Sequence, residues 1–84
     1  MKLEILGSGC ANCHNLMAIT EDAVRELGLS DADLVKVEDY SKIMAYGVMA
    51  TPALAIDGKV VMSGKVPSKA EVVSLITTAL AAGG

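Results

Sequence analysis

The spacing of apolar positions changes along this chain, and each change predicts an element. Residues 2–6, Lys-Leu-Glu-Ile-Leu, alternate and predict a short strand. Gly7, Ser8 and Gly9 break it. From about residue 11 to 27 the period becomes helical: Cys13, Met17, Val24 and Leu27 form one stripe, with Leu16 and Ala23 beside it. Gly28 suits the position just past a helix end. A polar loop over 29–33 leads to a second strand over 34–38, Leu-Val-Lys-Val-Glu. Asp39 can cap a short helix over about 40–46, and Gly47 can end it. Two apolar runs, 53–56 and 59–62, flank Asp57-Gly58. That dipeptide predicts a hairpin, because a type I′ turn needs positive φ at both central positions. Ser68 and Glu71 form a capping box that opens a last helix over about 69–81. Its apolar face is Val72, Val73, Ile76, Ala79 and Leu80, and the closing Ala-Ala-Gly-Gly is expected to fray.

The predicted order is β-α-β-α-β-β-α, an α/β fold. A strand–helix–strand start implies a right-handed parallel crossover. The hairpin adds antiparallel strands, so a four-stranded mixed sheet with helices on both faces is expected.

Composition narrows the function. At 84 residues, 52% hydrophobic and 20% charged, the chain is expected to form a single small domain over 1–84. Its net charge is −3 and its seven Lys and Arg residues are scattered, so no basic stripe for nucleic acid is present. No apolar run approaches the roughly eighteen residues of a membrane span. The first apolar run is too short and interrupted for a signal peptide, so the expected location is cytoplasmic. There, an exposed cysteine pair is more often catalytic or metal-binding than structural.

The pair is Cys10-Ala11-Asn12-Cys13, followed by His14. Three chemistries use such a segment: dithiol–disulfide exchange, capture of a soft metal, and attachment of a c-type haem. A cross-link between positions 10 and 13 closes too short a loop to stabilise the chain, which favours reactivity over stapling. Haem attachment normally follows export, which this sequence does not signal. Cys10 falls where the first strand gives way to the first helix. A thiolate there meets unsatisfied N–H groups, which lower a thiol pKa from about 8.5 toward roughly 3.5–7.5. Cys13 lies one turn further, on the stripe that faces the core. Gly7 and Gly9 let the backbone turn sharply and leave Cys10 uncovered.

The decisive partner is Met49-Ala50-Thr51-Pro52, just before the third strand. Proline can simply open a strand. In this element order, however, the loop lies beside the first helix's N-terminus. A cis Thr51–Pro52 bond would expose the Thr51 backbone for strand addition by a peptide. Other residues have bland and functional readings together. His14 is a solvated histidine or a modulator of Cys10. Glu4, on a strand face shared with Lys2, is a partly solvated acid or one that helps move a Cys13 proton. Met17 and Met44 are core filler, whereas Met49 is placed to line a docking surface. Residues 5–20 carry no Asp, Glu, Lys or Arg, which leaves a neutral rim around Cys10.

Taken together, the first strand, Gly-Ser-Gly-Cys-Ala-Asn-Cys, Tyr-Gly-Val-Met-Ala-Thr-Pro-Ala-Leu, Asp-Gly-Lys-Val-Val and Gly-Lys-Val-Pro-Ser-Lys resemble the small thioredoxin-like "redox-active disulfide protein" family. These are glutaredoxin-sized thioredoxins of archaea and bacteria, and the resemblance covers essentially the whole chain. It implies the thioredoxin fold in its minimal form, with Cys10 as nucleophile, Cys13 as resolving thiol and Pro52 as the cis-proline. Gly64 matches the glycine that borders the substrate groove, beside Thr51 and Pro52. The implied activity is thiol–disulfide oxidoreductase, a protein-disulfide reductase and dithiol electron carrier that needs no cofactor and no metal. The implied partners are disulfide-containing proteins and a thioredoxin-reductase-like donor, with the chain itself a monomer. Two departures stand out: Gly9 replaces a tryptophan, and Ala11-Asn12 replace Gly-Pro. The alternative is a soft-metal carrier of Cu(I) or Zn(II) using the same cysteines. Such carriers usually have Met-x-Cys at the motif and a β-α-β-β-α-β order.

Overall fold

A computed structural model describes residues 1–9 and 11–83. The element order is β1 (Lys2–Leu6), α1 (Ala11–Leu27), β2 (Asp33–Val37), α2 (Tyr40–Ala45), β3 (Ala53–Ile56), β4 (Lys59–Ser63) and α3 (Lys69–Gly83). The sheet runs β2-β1-β3-β4. Strand β1 pairs parallel with β2 and antiparallel with β3, and β4 closes the hairpin antiparallel to β3. The mixed sheet expected from the sequence is therefore present.

Alternation along β1 divides the core in two. Leu3 and Ile5 meet Leu16 and Ala23 of α1 and Val72 and Ile76 of α3. Leu6 faces the other way, with Val37, Ala53 and Ala55 of the sheet and Ile43 and Val48 from around α2. Helices thus cover both faces, with α1 and α3 on one and α2 on the other.

The buried line of α1 is Cys13, Leu16, Thr20 and Ala23. The predicted stripe is rotated from this line, because Met17 and Val24 lie at its flank, only partly buried. A threonine occupies its centre because the Thr20 hydroxyl donates to the Leu16 carbonyl at 2.7 Å, leaving its methyl to the core.

The predicted caps and turns are mostly present. The Asp39 carboxylate accepts from Ser41 N at 2.9 Å and starts α2. Asp57 and Gly58 have φ of 50° and 86°, as a type I′ hairpin requires. Ser68 Oγ accepts from Glu71 N at 3.2 Å, but the Glu71 carboxylate pairs with Lys65 at 3.3 Å, so only half of the capping box forms. Three expectations need correction. Strand β2 begins and ends one residue earlier than predicted. Helix α3 runs to Gly83, two residues past the predicted end, while Gly84 lies outside the described residues. Leu80 stands exposed, because Val72 and Ile76 make the buried contact of α3.

Candidate functional site

The parallel pairing of β1 and β2 places their C-terminal ends side by side, and Gly7 N donates to the Val37 carbonyl at 3.0 Å. In α/β sheets, the crevice outside the carboxyl ends of parallel strands is where ligands bind. Here the segments that reach that crevice carry Cys13, Thr51 and Pro52.

They converge on Gly7. A Cβ added to Gly7 would overlap Cys13 Sγ and would lie 3.9 Å from Pro52 Cα. Glycine is needed at this position for close approach, which corrects the expectation that Gly7 serves to turn the chain. The turning belongs to Gly9, whose φ is 87°. Cys13 is buried, 5% exposed, and disulfide-bonded. Cys10, the expected nucleophile, lies outside the described residues.

The Thr51–Pro52 peptide bond is cis. Pro52 is buried and Thr51 exposed. Among the described residues, neither the N–H nor the C=O of Thr51 takes a hydrogen bond. A backbone with free donor and acceptor, next to an established strand, is a template for an added one. Gly64 secures this loop from the far side. Its N–H donates to the Pro52 carbonyl at 2.9 Å, and at φ 80° a Cβ there would come within 3.2 Å of Ala50 Cβ.

Beside Thr51 opens a groove of about 370 Å³, lined by Ser8, Glu38, Tyr40, Met44, Met49 and Thr51 among others. Met49 is 99% exposed and Met44 50%, so Met44 is not core filler. Flexible, polarisable thioethers on a surface suit contact with varied partners. His14 is exposed on the first turns of α1 and shares a small hollow with Cys13, Lys36 and Glu38.

Glu4 departs from expectation. It is 6% exposed instead of partly solvated, and it points to the α2 face with Val35 and Ala55 as strand neighbours. The Tyr46 hydroxyl donates to Glu4 Oε1, and Lys2 Nζ lies 3.9 Å from Oε2. The bond to Glu4 holds the Tyr46 phenol above its ordinary pKa, helped by burial and by the Glu4 charge. Tyr46 carries no pattern signal, because its partner is 42 residues away. Glu38, expected only as the last residue of the second strand, lies at the site because β2 ends at Val37 and leaves it in the crevice. The parallel pairing expected for the first two strands is the signal that could have found it.

Among the described residues, no cluster of three or more His, Cys, Asp or Glu side chains is placed to hold a metal ion. No described helix is long and apolar enough to cross a membrane.

A mixed sheet with α1 and α3 on one face and α2 on the other, and a cis-proline loop against the start of α1, define the thioredoxin fold. Comparison with known proteins places the chain more closely. A family model described as a thioredoxin domain matches residues 1–77, and the chain belongs to that family. It is 40% identical over 77 residues to a thioredoxin of Methanothermobacter thermautotrophicus, covering 92% of this chain and 99% of that one. It is also 40% identical over 70 residues to a thioredoxin of Methanocaldococcus jannaschii, covering 83% of this chain and 79% of its relative.

Proposed function

We propose that this protein is a thiol–disulfide oxidoreductase that reduces protein disulfides through Cys10 and Cys13, acting as a single thioredoxin-like domain. The Cys10 thiolate attacks one sulfur of a substrate disulfide. A Cys10–substrate mixed disulfide forms, and the other substrate sulfur leaves as a thiolate that takes a proton. Cys13 then attacks the Cys10 sulfur, the second substrate thiol departs, and the protein is left with a Cys10–Cys13 disulfide. Two electrons have passed to the substrate. A two-electron donor resembling thioredoxin reductase restores the dithiol, and no bound cofactor takes part. In this reading the protein is a cytoplasmic monomer.

The observation that carries the proposal is the convergence of Cys13 and Pro52 on Gly7, with the unpaired Thr51 backbone alongside. A substrate strand laid on Thr51 brings its disulfide to the cysteine pair. The two thioredoxins at 40% identity agree with this chemistry.

Reduction of insulin disulfides with dithiothreitol as donor tests the proposal. The wild type should accelerate the reaction, and Cys10→Ser should abolish the acceleration. Gly7→Ala should lower it and cost about 1–3 kcal/mol of stability, since the new methyl displaces Cys13. Unaltered turnover in Cys10→Ser would refute the proposal. A bound Cu(I) or Zn(II) copurifying with the wild type, without turnover, would favour the carrier alternative.

A further inference from the structure

Glu38 stands one residue past β2, where the mechanism above gives it no task. Its Oε2 lies 3.0 Å from the place a Cβ on Gly9 would occupy, and Gly9 immediately precedes Cys10 in the chain. The residue lines one hollow together with Lys2, Lys36 and Lys42, and two more in which residues of the site take part. Of these two, one is the groove that holds Met44, Met49 and Thr51, and the other is the small hollow with Cys13 and His14. Among the described residues its carboxylate takes no hydrogen bond or ion pair, although Lys36 also borders the small hollow. No lysine or arginine lines the groove, so Glu38 is the charge that a bound segment meets there. The remaining walls are largely apolar, with Met44, Met49 and Tyr40 open to solvent.

We infer that Glu38 is a specificity-determining residue, which selects substrate segments carrying a Lys or Arg next to the half-cystine that is attacked. The inference rests on the disulfide-reductase reading and deepens it. The occupant is an extended peptide paired with Thr51, its basic side chain on Glu38 and an apolar neighbour over the two methionines. Charge complementarity makes the assignment: an anion that no lysine or arginine accompanies in the groove attracts a cation and repels an acidic segment. The chain's net charge of −3 works in the same direction at longer range.

The test uses two disulfide-bridged peptides that are identical except for Lys or Glu beside one cysteine. The ratio of their kcat/KM values is measured for the wild type, Glu38→Gln and Glu38→Lys. The wild type should favour the Lys peptide about fivefold, the size of an exposed charge pair, and the preference should shrink in high salt. The ratio should fall toward one in Glu38→Gln and invert in Glu38→Lys. A merely structural role for Glu38 would change both rates together and leave the ratio alone. Equal reduction of both peptides by the wild type, or a preference that survives in Glu38→Gln, overturns this inference alone. Failure of the wild type to reduce either peptide overturns the reductase reading and this inference with it.

Discussion

Glu4 is the buried charged side chain among the described residues, and it is held there by Tyr46. A buried carboxylate without a partner is costly, and the tyrosine hydroxyl supplies one. The consequence is readable in pH. The native phenol of Tyr46 binds its proton more tightly than an unfolded tyrosine, whose pKa is about 10. Its contribution to stability is therefore complete below about pH 10 and is lost as pH rises through the higher native value. In a Tyr40→Phe variant, Tyr46 is the single tyrosine, so phenolate absorbance follows it alone. The folded variant should titrate above about pH 10 and the denaturant-unfolded one near it. Coincident curves would show that the bond to Glu4 does not form in solution. The two partners could not be paired from sequence, because nothing local links residues 4 and 46. Alternation did place Glu4 opposite Leu3 and Ile5, but it could not say that α2 would cover that face.

At the scale of elements, the short segments were more legible than the sides of the long ones. Asp39, Gly47, Asp57-Gly58 and Ser68 act through their own backbone neighbours, so their roles follow from residue chemistry alone. Helix α2 has only six residues and depends on such help. Asp39→Ala removes its N-cap bond and should cost about 1 kcal/mol in denaturant unfolding. It should also weaken substrate reduction, since Tyr40 and Met44 of α2 wall the groove. A stability loss with unchanged reduction of a protein substrate would detach α2 from docking. The rotation of α1 was less legible. Thr20 looks polar in a pattern, and only its hydroxyl bond to Leu16 makes it a core residue. Met17 entered the predicted stripe in place of Leu16 because apolarity alone cannot resolve adjacent positions on a helix.

For the whole molecule, topology assembles the site. The parallel crossover brings the ends of β1 and β2 together, and β3 enters from the Thr51–Pro52 loop on the other side of β1. Residues far apart in the chain, at 7, 13, 38 and 52, reach one crevice by this route. The element order was legible because each strand and helix carried its own period. The close approach at Gly7 and the arrival of Glu38 depend on register to within one residue, which spacing does not fix. If Cys10 attacks and Cys13 resolves, trapping of the mixed disulfide separates the two roles. A Cys13→Ser variant is incubated with a disulfide-bearing protein, quenched by alkylation and mapped by mass spectrometry. The expected result is a substrate adduct on Cys10 that dithiothreitol releases, and little adduct on the buried Cys13 of a matched Cys10→Ser variant. Adducts on Cys13 in the second variant, with none on Cys10 in the first, would contradict these roles.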